Sequence, residues 1–248
     1  MKNPTIRSLL FIGAISAASI AVAHPQDAHQ NPMLQTLKQL DLGAQQKQDV
    51  KALMRQAKAD RAVFKADQQA FRQAMKDIVQ AEDWQPELVE QLLAQHAEQH
   101  KSALRDRADL RHNIWLLLTP EQQTEFMQLA RPQDKERPDW SERLPHMAEK
   151  LSLSDEQQAV MQTLLQETSQ VIAPLKQQLQ ALRAQERALI QATEFDVDAW
   201  EALFNEYQPV QQQITLNRTY LQHQMFNQLN EAQQDKLEAL MQRKRRRG

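Results

Sequence analysis

The sequence predicts an all-α fold: long antiparallel helical hairpins in two tandem units that pair as a thin pseudo-dimer. Three observations lead there. Glycine occurs three times in 248 residues and aromatic residues make up 5%; few turns and few β-formers mean long helices with narrow apolar stripes. Apolar residues recur in steps of seven along much of the chain, the period of a coiled-coil-like seam. An offset of 111 residues lays Leu40–Leu129 onto Leu151–Leu240 without a gap, with about 20 of roughly 90 positions identical, as a duplicated supersecondary unit reads. Matched pairs include Leu53/Leu164, Lys65/Lys176, Arg72/Arg183, Leu92/Leu203, Arg107/Arg218, Leu110/Leu221 and His112/His223.

Residues 1–23 read as a signal peptide. Lys2 and Arg7 precede an apolar run from Leu9 to Val22, and Ala21-Val22-Ala23 offers a cleavage site before His24; that run is too short for a membrane span. Residues 24–39 read as a flexible N-terminal segment. Export without a single cysteine excludes disulfides, thiol catalysis and cysteine metal sites. Cleavage takes two bases and no acid from the 30 bases and 32 acids, leaving a net charge of −4. Five bases lie in the tail Arg243–Arg247, so the body carries −9. An acidic body with a basic tail is not a nucleic-acid-binding profile.

The first unit spans 40–130. Its first helix is expected from about Ala44 to Ala81, with a seam of Val50, Ala57, Phe64, Phe71 and Ile78. A turn follows. Gln85 stands at the next N-cap, Pro86 at the first helical position, and Trp84 and Val89 at staple positions,. The second seam runs through Leu92, His96, Ala103, Leu110, Ile114 and Leu117. Each helix would extend roughly 50 Å, and the two make an antiparallel hairpin. Residues 131–148, with Pro132, Pro138 and Pro145 among charges, read as a linker.

The second unit, 149–242, repeats the plan. Its seams are Met161, Thr168, Leu175, Leu182 and Leu189, then Leu203, Tyr207, Ile214, Leu221 and Met225, with Asp196 at the inner cap and Phe195 and Trp200 as staple. Pro174 and Pro209 lie inside its helices where the first unit has Val63 and Glu98, so the second unit is expected to bend more. Residues 243–248 form the basic tail.

Four places share one local pattern: Leu42-Gly43-Ala44-Gln45-Gln46, Leu118-Thr119-Pro120-Glu121-Gln122, Leu153-Ser154-Asp155-Glu156-Gln157 and Leu229-Asn230-Glu231-Ala232-Gln233. This is a capping box. The second residue caps the helix, and the glutamine three positions later reaches back to it. Gly43 lacks the side-chain acceptor, so the first box is half made.

On these residues the chain resembles the Spy/CpxP family of periplasmic proteins, whose LTxxQ motif the second box matches literally. The resemblance covers essentially the whole chain after residue 23, one family unit per copy. It implies a thin, cradle-shaped helical homodimer with a concave client-binding face. It also implies one of three roles: an ATP-independent chaperone, an envelope-stress regulator that binds a sensor kinase, or a metal-binding protein. The family carries one unit per chain, whereas here two are fused, which points to pairing of the second copy on the first within one chain.

The favoured expectation is a periplasmic holdase for unfolded or misfolded envelope proteins, with the periplasmic domain of a sensor kinase as the alternative partner. Client-binding candidates are Phe64, Lys65, Phe71, Arg72, Met75, Leu175, Lys176, Leu182, Arg183 and Trp200; apolar groups would line a groove and the basic residues would capture clients at long range. For any one of these apolar residues, ordinary interhelix packing is the stronger reading. His96 and His100, four apart, could share a metal,, but the second unit has Tyr207 and Gln211 there, and the pair reads as polar seam. No phosphate loop, nucleophile elbow or HExxH appears. No enzyme activity, cofactor, nucleic-acid partner or membrane span is expected.

Overall fold

The computed structural model describes residues 32–63, 65–129 and 140–247. The expected signal peptide and the linker prolines Pro132 and Pro138 lie outside them. The described residues are helical with short connections, and no strand occurs among them. The first unit comprises α1 (Pro32–Gln39), α2 (Ala44–Val63), α3 (Lys65–Gln80), α4 (Pro86–Gln95), α5 (Ala97–Leu117) and α6 (Pro120–Leu129). The second comprises α7 (Trp140–Leu151), α8 (Asp155–Ile190), α9 (Val197–Asn227) and α10 (Glu231–Arg247). At the 111-residue offset, α1 matches α7, α2 with α3 matches α8, α4 with α5 matches α9, and α6 matches α10.

The duplication reaches further than its sequence signature. The segment read as flexible contains α1, whose Leu37 joins Leu40 in the buried core of the first unit. The end of the segment read as linker is α7, whose Leu144, Ala148 and Leu151 are buried at the matching end of the second unit. Both helices are short, but apolar residues one turn apart give each a face to bury. Pro145 is tolerated within α7. The chain leaves α7 through Ser152 at φ 56°, with the Leu153 N–H bonded to the Ala148 carbonyl at 3.0 Å, a Schellman-type stop. The tail is also not separate, since α10 continues through Arg247.

Helices α8 and α9 run unbroken through Pro174 and Pro209, while in the first unit the matching second helix is interrupted at His96, between α4 and α5. The seam explains this. The hairpin core of the second unit is Ile172, Leu179, Leu182, Leu203, Val210 and Ile214. The matching residues of the first unit are Arg61, Gln68, Phe71, Leu92, Gln99 and Ala103. Four of the six apolar positions are thus polar or small, and the hairpin of the first unit has little to bury at mid-length. Each proline of the second unit removes one backbone hydrogen bond, and the apolar zipper around it outweighs that loss.

The two units pack against each other head to tail. Ala108 of α5 is buried against Ile190, Trp200 and Phe204, and Val79 at the end of α3 against Phe226. A pseudo-two-fold relation is explicit in the hydrogen bonds. His112 Nδ1 donates to the Ile190 carbonyl at 2.9 Å, and His223 Nδ1 lies 3.3 Å from the Val79 carbonyl. Each histidine and each acceptor is 111 residues from its counterpart. Phe195 lies 5.6 Å from the His112 ring, and its counterpart Trp84 lies 5.5 Å from the His223 ring. The histidine shared by both copies is therefore the docking pin of the pseudo-dimer, a role the sequence signals only by repetition.

Candidate functional site

The four capping motifs do more than cap. Ser154 accepts from the Gln157 N–H at 3.1 Å while Gln157 Oε1 accepts from the Ser154 N–H at 3.0 Å, the expected box. Asn230 and Gln233 close the same loop at 2.9 and 3.0 Å. The two boxes of one unit then face each other. Gln157 Nε2 donates to Gln233 Oε1 at 2.8 Å and Gln233 Nε2 donates back to Gln157 Oε1 at 3.0 Å. The remaining N–H of each amide reaches the connection entering the opposite motif helix, Gln228 O at 2.7 Å and Ser152 O at 3.2 Å.

The first unit repeats this clasp. Gln46 and Gln122 exchange bonds at 2.7 and 3.2 Å and reach Leu117 O and Asp41 O at 2.6 and 2.8 Å. Gly43 N donates to Gln46 Oε1 at 2.8 Å, so the box without a capping side chain keeps its glutamine half. Thr119 completes the other box, with bonds of 3.0 and 3.3 Å to Gln122. Each glutamine uses two donors and two acceptor sites, which explains why the motif carries glutamine: glutamate would supply acceptors alone.

The client-binding candidates scatter between core and surface. Met75 is 1% exposed, Trp200 3% and Leu182 5%; all three are interhelix core in this structure. Leu175 is partly buried against the hairpin core of the second unit. Phe71 is half-buried and meets the His96 ring edge-on at 4.9 Å. Lys176 and Arg183 are exposed and Arg72 is half-buried. Phe64 lies outside the described residues, as does the side chain of Lys65.

The structure instead places an apolar cleft of about 350 Å³ between α3 and α4, with Ala74, Ile78, Leu88 and Leu92 in its walls and Leu88 42% exposed. A second cavity, about 310 Å³, lies where α5 meets the hairpin of the second unit.

His96 and His100 do not converge on one point. His96 ends α4, with Phe71 at its ring and Nδ1 3.2 Å from Gln99 Oε1. His100 faces Phe204 of the other unit at 6.4 Å. Burial, and then the neighbouring Arg107 charge, hold the His100 pKa below its ordinary value. No group of three His, Cys, Asp or Glu suited to a metal occurs among the described residues, and none of their helices is long and apolar enough to cross a membrane.

Clasped helical hairpins paired through buried aromatic and histidine contacts define an all-helical two-unit scaffold. Residues 28–130 match the LTXXQ motif family and residues 126–219 match the heavy-metal resistance family. Both are Spy/CpxP-like fold families, and the two consecutive matches fit a tandem arrangement of such units in one chain. The families and their helical fold are not enzymatic. No solved structure matches the chain.

Proposed function

We propose that this protein is an exported periplasmic holdase, which binds unfolded or misfolded envelope proteins without ATP and acts by binding rather than catalysis. Export is supported by the apolar run of residues 9–22 with its small-residue cleavage site, and by the LTXXQ family being one of periplasmic proteins. The observation that carries the chaperone reading is the α3–α4 cleft. It lies in the hairpin whose seam is polar, and it presents the exposed Leu88 and the half-buried Leu92, over the buried Ile78, to an extended apolar segment. A hairpin with little mid-length core can adjust to different clients at small cost, as promiscuous binding requires.

Suppression of aggregation of an unrelated unfolding protein, without ATP, tests this. Wild type should suppress at near-stoichiometric ratio. A variant with Arg61→Ile, Gln68→Leu, Gln99→Val and Ala103→Ile carries the second unit's seam into the first and should hold clients less well while gaining thermal stability. If wild type fails to suppress, the chaperone reading is wrong. If the variant suppresses as well as wild type, the cleft is not the site.

The match of residues 126–219 to the heavy-metal resistance family favours a second reading, metal binding. That stretch holds one histidine, His146, and no cysteine, so any site there would draw on carboxylates. Calorimetric titration with zinc and copper discriminates the two readings.

A further inference from the structure

The two junctions of the pseudo-dimer are related by the 111-residue offset, yet one is solid and the other hollow. At the solid junction, Met75 and Lys76 are 1% exposed and Val89 is fully buried. Lys76 pairs with Glu238 at 3.1 Å. At the other junction, the matching Glu186, Arg187 and Trp200 border the cavity of about 310 Å³. Packing alone would close both junctions alike, because protein interiors are filled to near-crystal density.

The walls of the hollow junction have a definite chemistry. Its floor is the stacked pair Trp200 and Phe204, with centroids 5.6 Å apart and planes at 21°. Its rim carries four arginines: Arg107 and Arg111 one turn apart on α5, and Arg183 and Arg187 one turn apart on α8. Glu186, 3.5 Å from Arg111, is the only acid among the lining residues. An otherwise acidic chain thus concentrates cations around one aromatic recess. Guanidinium forks recognise carboxylates in two-pronged fashion, and a low-dielectric floor strengthens their field. The volume lies at the small end of ligand sites and suits one or two rings.

We propose that the cleft between α5 and the α8–α9 hairpin binds a small organic anion with a flat aromatic body. The body packs against the half-buried Leu104 and Tyr207 over the buried pair Trp200 and Phe204, and the carboxylate takes the arginines of both units. The site exists because the two units are joined and paired. It stands apart from the proposed chaperone activity, since the α3–α4 cleft lies elsewhere.

Calorimetric titration of the full chain with 2-naphthoate and with its uncharged isostere 2-naphthamide tests the proposal. Naphthoate should bind at one site per chain, about tenfold or more tighter than naphthamide, and should weaken as salt rises. The double variant Arg183→Gln with Arg187→Gln, at two exposed positions, should lose that preference, whereas Arg72→Gln at the opposite junction should keep it. The salt dependence reads out in wild type and needs no variant. Absent binding at millimolar naphthoate, equal affinity for the two probes, or equal loss in Arg72→Gln would each overturn the assignment.

Discussion

Replacing Gln157 with glutamate keeps the shape of the side chain and removes its two donors. In the wild type those donors reach Gln228 O at 2.7 Å and Gln233 Oε1 at 2.8 Å, so the variant leaves a carbonyl without its partner and sets two acceptors face to face. At about 0.5–1.5 kcal/mol net per hydrogen bond, the loss is about 1–3 kcal/mol. The new charge sits in the first turn of α8, where the helix dipole returns about 0.3–1 kcal/mol. The expected net cost at pH 7 is about 1–2 kcal/mol, a fall in Tm of about 2–8 °C for a chain this long. Thermal unfolding followed by circular dichroism reads it. Relative to wild type the deficit should shrink toward pH 4, as the protonated carboxyl regains one O–H donor. Gln158→Glu is the control, because Gln158 makes a single side-chain bond, to Leu153 O at 3.1 Å, and should cost less. If Gln157→Glu is as stable as wild type at pH 7, the cap alone matters and the clasp contributes nothing.

Four further outcomes are expected. Ser152→Gly should stabilise by about 0.5–1 kcal/mol in denaturant titration, because Ser152 holds φ 56° and a side chain in that region costs more than the added chain entropy of glycine. Gln222→Met should stabilise by about 1–2 kcal/mol, since both side-chain polar atoms of Gln222 are buried without a partner among the described residues,. His100→Gln should flatten the loss of stability between pH 7 and pH 5. The neutral ring is favoured in the fold, chiefly by burial, so its contribution is complete above the unfolded pKa and declines as pH falls toward the folded one. The full chain should be monomeric by light scattering, and the second unit alone, residues 140–247, should dimerise or unfold, because Ile190, Trp200 and Phe204 would lose the α5 face that covers them.

What could be read from the sequence was whatever repeats locally. The heptad seams, the box at Ser154 and the cap by Asp196, which accepts from the Ala199 N–H at 2.9 Å, follow from residues within one or two turns. Gln85, read as the equivalent cap, makes no side-chain capping bond; Pro86 supplies the start there. The clasps joining Gln46 to Gln122 and Gln157 to Gln233 needed tertiary pairing across 76 residues, and the motif spelling gave no sign of them. The weaker mid-length seam of the first unit was visible as Arg61, Gln68 and Gln99 at the positions of Ile172, Leu179 and Val210, whereas the break at His96 had no breaker residue to announce it. Met75, Leu182 and Trp200 look exposable on a lone two-helix hairpin. They are buried because helix crossings and the partner unit enclose them.

Fusion explains how one junction can be solid while its twin is open. In a homodimer of single units each position occurs at both junctions. A residue there must then suit two identical sites. Lys76 could not be fully buried beside Glu238 at one junction while its equivalent faced solvent at the other. In this chain the equivalents are independent. Lys76 meets Glu238, whereas the equivalents of that pair are Arg187 and Met127, both exposed, and methionine offers no charge. Likewise Arg111 has Gln222 as its counterpart, Trp200 has Val89 and Glu186 has Met75. One junction can therefore serve cohesion, with buried methionine, valine and an internal ion pair. The other keeps its cations at a rim over the buried aromatic pair Trp200 and Phe204. Restoring symmetry by Arg111→Gln with Glu186→Met should turn the second junction toward the first, raising thermal stability while abolishing any preference for aromatic anions. Retention of that preference would mean that Arg183 and Arg187 suffice and that the divergence at Arg111 has no functional part.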